Sequence, residues 1–388
     1  MKYTLMHKNI PVADVEIYEP SATITNIETI HNPEHLPVGV HLQNGNINRH
    51  ELNAWWRERS IPAQRTDINN VFTKLNIHSI KQFVMFSSGL SLSDCYWIKP
   101  VDSELKWEDI NFFDNPLSLD MGDMLLDIIK PSNDLDLCSP DNTTEGCLKK
   151  RWTIIDGKRY LIKAGEPPYY QQPFNEIIAS MVMERLGVPH IPYTLTWIDG
   201  KPYSVREDFI TPDTELVSAW KVLQVKPKFN HHNDFLHYIR ICEENGIKNM
   251  RRTLDEMIVL DYIIANEDRH FNNFGIIRNA DTLEWESSAP IFDSGTSLGY
   301  NKADNSLSKT ILCKPFKKSH GEQLGLVSSF EWLDFDRLRG IENDIADLMS
   351  TKKAISVLGE NRYAVIADFV SERINRLEEI ATKRSSII

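Results

Sequence analysis

Between Asp261 and Gly295 the chain reads DYIIANEDRHFNNFGII, then about a dozen polar residues, then APIFDSG. An apolar helical run delivers Asp268 into a polar loop, Asn273 follows five positions later, and an apolar strand is expected to end in Asp293-Ser294-Gly295. Phosphoryl transfer from a Mg-nucleotide needs these residue types in this order. One carboxylate orients or deprotonates the attacking hydroxyl, while an amide and a second carboxylate hold the metal. Asp268 is the candidate base. Asn273 and Asp293 are the candidate Mg²⁺ ligands, since Mg²⁺ takes few protein oxygens beside waters and phosphates.

A phosphate-binding lysine and its carboxylate partner should come from elements upstream. RWTII and KRYLIK flank Asp156-Gly157, a strong hairpin signal, and the second strand presents Lys163 near its end. The helix EIIASMVMERLG follows, with Ile177, Ile178, Met181, Val182 and Leu186 on one face and Gly187 as its stop. Glu176, expected at the helix start, is the natural partner of Lys163. Thr143, Thr144 and Gly146 lie just before the first strand, where a phosphate-covering loop is expected to direct amides and hydroxyls at phosphate oxygens, with charge from Lys149 or Lys150. A second hairpin turns at Asp199-Gly200, and Asp208 and Phe209 beyond it are expected to form the hinge that receives the adenine. His270 is assigned to the catalytic loop, chiefly as a brace to that loop or to the Asp293 region, with a direct proton role as the alternative. Arg269 is read as a solvated or salt-bridged side chain, and the adjacent His231 and His232 as a solvated tip.

Composition is that of a globular chain, with 41% hydrophobic and 25% charged residues over 388 positions. Three regions are expected: an accessory α+β unit over residues 1–130, a β-rich lobe over 131–210 and a helical lobe over 211–388. Residues 131–140 read as a linker. In the first region LNAWWRERSIPAQR reads as a helix halted by Pro62, and Trp97, Trp107, Phe112 and Phe113 as packing anchors. A net charge of −12 argues against direct nucleic-acid binding and against an anionic bilayer. Five scattered cysteines without a C-x-x-C pair read as free thiols, and no run approaches a membrane span, so a cytoplasmic setting is expected.

Protein kinases carry H-R-D-x-x-x-x-N followed by D-F-G. Asp268 to Asn273 keeps that interval, and Asp293-Ser294-Gly295 stands where D-F-G would, but His270 follows the Asp instead of preceding it. The chain resembles the HipA family of bacterial serine/threonine kinases, best known as toxins of toxin–antitoxin modules. NEDRHFNNFG is similar to the family's N-D-x-H-x-x-N loop, and APIFDSG to its L-A-P-x-Y-D segment. The resemblance covers roughly residues 130–388, and residues 1–130 look like a divergent N-terminal subdomain.

The resemblance implies an α+β, bilobal kinase-like fold with a small N-terminal α+β subdomain. It implies Asp268 as base, Asn273 and Asp293 on Mg²⁺, Lys163 on ATP phosphates, a protein hydroxyl as acceptor, and an antitoxin-like partner. The family's G-x-Q-x-K loop is only partly present at residues 146–150, with Leu148 in place of Gln, so autoinhibition through a phosphorylated loop serine does not carry over. Residues 295–315 occupy the place of an activation segment. Phosphoinositide kinases share a D-R-H-x-x-N loop, so a lipid acceptor stays open as an alternative. So does a nucleotide-binding regulator without turnover, although a binder has little need of Asp268.

Overall fold

The computed structural model describes residues 1–62, 79–126, 128, 135–307 and 311–386. The first sheet has the order β3-β2-β1-β6, all antiparallel, from Lys2–His7 (β1), Ile10–Tyr18 (β2), Thr23–Ile30 (β3) and Tyr96–Pro100 (β6). A two-residue ladder, Leu42–Gln43 (β4) with Asn46–Ile47 (β5), precedes the helix Arg49–Glu58. Asn48 caps that helix by accepting the amides of His50 and Glu51, a standard way to satisfy orphan donors. The helix gives out at Glu58, before Pro62 is reached. Beyond it Arg59 is drawn into the interior, where it donates to Gly89 O and pairs with Asp94.

Strand β1 is buried on both faces from Thr4 onward. Leu5 packs into the core beneath Leu52, Trp55 and Trp56, whereas Met6 joins Trp97, Trp107, Phe112 and Phe113 in a second core shared with Trp152, Leu161 and Ile277. The expected anchors therefore fasten the N-terminal sheet to the rest of the molecule.

The second sheet, β7-β8-β10-β9, is formed by Lys150–Ile155 (β7), Lys158–Ala164 (β8), Thr194–Ile198 (β9) and Lys201–Glu207 (β10). Both expected hairpin turns are present. Asp156 and Gly157 have φ of 49° and 81°, and Asp199 and Gly200 have 49° and 74°, the doubly left-handed geometry that matches strand twist. The helix Gln172–Leu186 packs on this sheet and stops at Gly187, whose φ of 68° makes it a left-handed cap. It begins four residues earlier than expected, with Pro173 in its first turn, so Glu176 lies one turn inside rather than at the start.

The C-terminal part is mainly helical and carries a three-stranded sheet of Thr214–Ser218 (β11), Gly275–Asn279 (β12) and Trp285–Ser288 (β13). Its core surrounds the helix Met250–Ile263 and includes Ile341, Ile345, Ile366 and Val370 from the last helices. A Cβ at Gly275 would lie 2.1 Å from Val217 O, so the glycine of NNFG is required by close strand approach. His231 and His232 sit at an exposed tip against Phe229, as expected. Among the described residues no helix is long and apolar enough to cross a membrane.

The expected linker differs from its reading. Residues 131–134 lie outside the described residues, but Ser139 to Thr143 are buried. The polar side chains there are used internally: Asp141 accepts the amide of Trp152, and Ser139 Oγ donates to Asp141.

A buried polar network joins the N-terminal sheet to the three-stranded sheet. Glu215 lies directly across the ladder from Arg278, which donates to Glu215 Oε2 at 2.9 and 2.5 Å. The other oxygen accepts Cys95 N at 2.9 Å and bonds His7 Nε2 at 3.0 Å. Burial alone would raise the Glu215 carboxyl, but Arg278 and the hydrogen bond from His7 hold it well below the usual carboxylate range. A depressed folded-state value means this stabilisation is complete above the unfolded carboxylate pKa of about 4.3 and is lost as pH falls below it. Glu215→Ala, which strands Arg278 inside, is expected to cost about 3–5 kcal/mol in urea unfolding at neutral pH. The deficit relative to wild type should shrink on acidification below about pH 4; a deficit unchanged by acid would disprove the assignment.

Candidate active site

Alternation along β8 turns Leu161 and Lys163 toward a cavity of about 640 Å³, while Ile162 and Ala164 pack on the other face with Leu126 and Tyr203. Lys163 is buried, with Nζ 2.9 Å from Glu176 Oε1 and 2.6 Å from Asp293 Oδ1. Burial disfavours the ammonium, yet Asp293 and Glu176 outweigh it and raise its pKa. Glu176 uses its second oxygen to accept Ser294 N at 2.8 Å. One helical carboxylate thus fixes both the lysine and the segment after Asp293.

Asp293 has a φ of 56°, a left-handed conformation that Asp tolerates better than most residues. The strand expected through APIF is reduced to a single parallel bridge between Ile291 and His190. Pro290 cannot donate to a ladder. Burial pushes the Asp293 carboxyl up, but Lys163, Lys150 and Arg269 together hold it well below the ordinary range. It is therefore an anion, the form a cation requires.

Asp268, Asn273 and His270 lie in the loop that follows the helix Met250–Ile263 and line the same cavity. Asn273 Nδ2 donates to Asp268 O at 2.9 Å, which commits its nitrogen and reserves Oδ1 as the atom able to meet a metal. Asp268 N donates to Asn266 Oδ1, and Asn266 Nδ2 donates to Asp261. The Asp268 carboxylate, 38% exposed, meets Lys314 Nζ at 2.7 Å.

Arg269 is the salt-bridged side chain of the two alternatives, paired with Asp261, and not a solvated one. It is fully buried and bonds Asp261 through Nε and Nη2 at 3.0 Å, Asn273 O and Phe292 O through Nη1, and Ser294 Oγ through Nη2. The guanidinium locks the Asp268 loop to the Asp293 segment. A charged Asp261 inside an apolar helical run was the available signal, because a buried carboxylate demands a partner. His270 braces its own loop and not the Asp293 region. Its Nδ1 accepts Asn272 N, Nε2 stands 3.9 Å from Asp268, and the side chain is 43% exposed. Partial burial lowers the imidazole pKa against the pull of Asp268.

The expected phosphate loop is only partly as read. The hydroxyls of Thr143 and Thr144 are not aimed at a ligand: Thr143 donates to Leu90 O and Pro140 O, and Thr144 donates to Pro140 O while accepting Trp152 Nε1. Gly146 has a φ of 93°, and a Cβ there would fall 2.5 Å from Lys150 Nζ, which donates to Glu145 O. Residues 143–148 of this loop still line the cavity.

Asp208 and Phe209 do not line it. Asp208 N donates to Arg159 O, leaving no amide for a base, and burial raises its carboxyl to about 7 despite Arg206. Phe209 packs on Phe292. Arg206, Leu216 and Ser218 occupy that end of the cavity instead. Residues of the first hundred, including Glu58, Arg59 and Asp94, also contribute to its wall, which nothing in their spacing indicated.

The donor set fits a Mg-nucleotide: two oxygen ligand groups in Asn273 and Asp293, a carboxylate at the mouth in Asp268, and lysines at 163 and 150 for phosphate charge.

Residues 145–367 match the family model described as HipA-like C-terminal domain. The serine/threonine-protein kinase CtkA of Helicobacter pylori is 29% identical over 153 residues, which is 38% of this chain and 46% of that protein. The chain thus matches less than half the length of that curated relative. Among solved structures, HipA from a Shewanella oneidensis MR-1 complex of HipA, HipB and operator DNA superposes with a TM-score of 0.52 at 11% identity. That match covers 97% of both chains, and it places the present fold among kinase-like folds. A crystal structure of the H. pylori proinflammatory kinase CtkA aligns over 59% of this chain and 95% of its own, at 19% identity and a TM-score of 0.42.

Proposed function

The chain belongs to the HipA-like kinase family, and from that premise we propose that it is a Mg-ATP-dependent serine/threonine protein kinase. The observation that carries the proposal is the buried Lys163 held between Glu176 and Asp293 in the cavity that Asp268 and Asn273 also line. Lys163 takes the inner phosphates and Glu176 keeps it in place. Asn273 Oδ1 and the Asp293 carboxylate hold Mg²⁺, which when bound neutralises charge on the phosphate oxygens. Asp268 orients the acceptor hydroxyl and takes its proton. Arg269 keeps these groups in register from beneath.

The acceptor in this proposal is a protein hydroxyl. By analogy with the HipA–HipB–DNA complex, a HipB-like antitoxin is the class of partner proposed, with any DNA contact left to that partner. The five free cysteines suit a cytoplasmic setting.

Incubation with γ-labelled ATP and Mg²⁺, separately with protein acceptors and with phosphoinositide vesicles, tests the acceptor class. Label on protein is the expected result. Label confined to lipid would make this a lipid kinase, and tight Mg-ATP binding with no label on any acceptor would leave either a kinase without its true substrate or a regulator.

A further inference from the structure

Transfer of a phosphoryl group gathers negative charge where the acceptor meets the γ-phosphorus, and a cation placed there stabilises the transition state. The loop between Asp268 and Asn273 does not supply one. Its arginine is turned inward onto Asp261 and Ser294, and its histidine uses Nδ1 to accept Asn272 N while Nε2 stands 3.9 Å from Asp268. Lys163 is bound by Glu176 and Asp293.

One ammonium does reach the acceptor side. Lys314 comes from 46 residues beyond Asp268 in the chain and places Nζ 2.7 Å from Asp268 Oδ1. Its backbone is held by a buried glutamine. Gln323 Nε2 donates to Lys314 O at 3.0 Å, and Gln323 Oε1 accepts the amides of Phe316 and Lys317. Residue 313 is tied to residue 318 by a further backbone bond. The pair itself is half in water, with side-chain exposures of 54% and 38%, so it adds little to stability. The mount, which also seats Phe316 against Phe235, Phe271 and Phe274, fixes the backbone from which Lys314 reaches Asp268.

We propose that Lys314 is a catalytic residue whose ammonium bridges Asp268 and the γ-phosphoryl group in flight. This rests on the kinase reading above. In the step, the acceptor oxygen forms a bond to γ-phosphorus as the bond to the β,γ-bridging oxygen breaks. ADP leaves with that electron pair, the hydroxyl proton passes to Asp268, and Lys314 keeps its own protons throughout. The same contact read as an autoinhibitory plug makes the opposite forecast.

The test compares wild type, Lys314→Ala and Lys314→Arg. Lys314→Ala should lose about 10²-fold in kcat with KM for ATP little changed, and Lys314→Arg should recover part of the loss. Binding is read separately with Mg-ADP and with Mg-ADP-fluoroaluminate, a mimic of the phosphoryl group in transfer. Lys314→Ala should bind Mg-ADP as wild type does and lose affinity only for the mimic. Turnover that is unchanged or raised, or equal affinity of both proteins for the mimic, overturns the role of Lys314 and leaves the kinase reading standing. A wild type that binds neither Mg-ADP nor the mimic removes the kinase reading itself, and this proposal with it.

Discussion

Asp268→Asn is expected to bind Mg-ATP as wild type does while transferring the phosphoryl group about 10²–10⁴-fold more slowly, the usual worth of a positioned general base. The substitution is close to isosteric, and the contacts that shape the loop here use backbone atoms. Asn266 accepts the residue 268 amide and Asn273 donates to the residue 268 carbonyl, so both survive. What is lost is the carboxylate, and with it the ability to take a proton and the charged contact with Lys314. Asp293→Ala should behave differently, because it deletes a proposed metal ligand and one of the two carboxylates on Lys163, weakening Mg-nucleotide binding as well as turnover. Titration calorimetry with Mg-ATP and single-turnover transfer separate the two. Equal transfer by wild type and Asp268→Asn would remove Asp268 from the mechanism.

Arg269→Ala is expected to destabilise the protein by about 3–5 kcal/mol, because it leaves the buried Asp261 uncompensated. Four groups lose the donor that Arg269 supplies: the Asp261 carboxylate, which among the described residues keeps only Asn266 Nδ2, and Asn273 O, Phe292 O and Ser294 Oγ. Arg269→Lys keeps the charge but not the planar fork, so it should restore only part of the loss. Chemical unfolding with wild type, Ala and Lys variants gives the comparison. A change under about 1 kcal/mol, the range of an exposed ion pair, would show that Arg269 is not the clamp between the two segments.

What could be read from the sequence was whatever short-range chemistry determines. Asp156-Gly157 and Asp199-Gly200 specify their hairpins because both positions of the turn demand left-handed backbone, and Gly187 ends its helix for the same reason. The destinations of polar side chains were not legible, because they depend on segments far away in the chain. Thr143 and Thr144 looked available to a ligand, yet their hydroxyls bond Leu90 O and Pro140 O. Asp208 looked like a hinge, yet its amide completes a bond to Arg159 that depends on how β8 and β10 align. Arg269 was read as solvated or salt-bridged, and only the fold shows that its partners, from Asp261 to Ser294, converge on it in the interior. The strand through APIF failed on a local rule, the missing donor of Pro290, that apolar content had masked.

The cavity wall that Glu58, Arg59 and Asp94 share with the loop around Gly146 ties two equilibria together. Any ligand that needs that wall favours the docked position of the N-terminal sheet, and docking favours the ligand by the same factor, since linkage is reciprocal. The polar network around Glu215 and His7 helps to hold that sheet against the three-stranded sheet, so it is coupled to any ligand that uses the wall. Substitutions that loosen it should surface as weaker binding before they surface as unfolding.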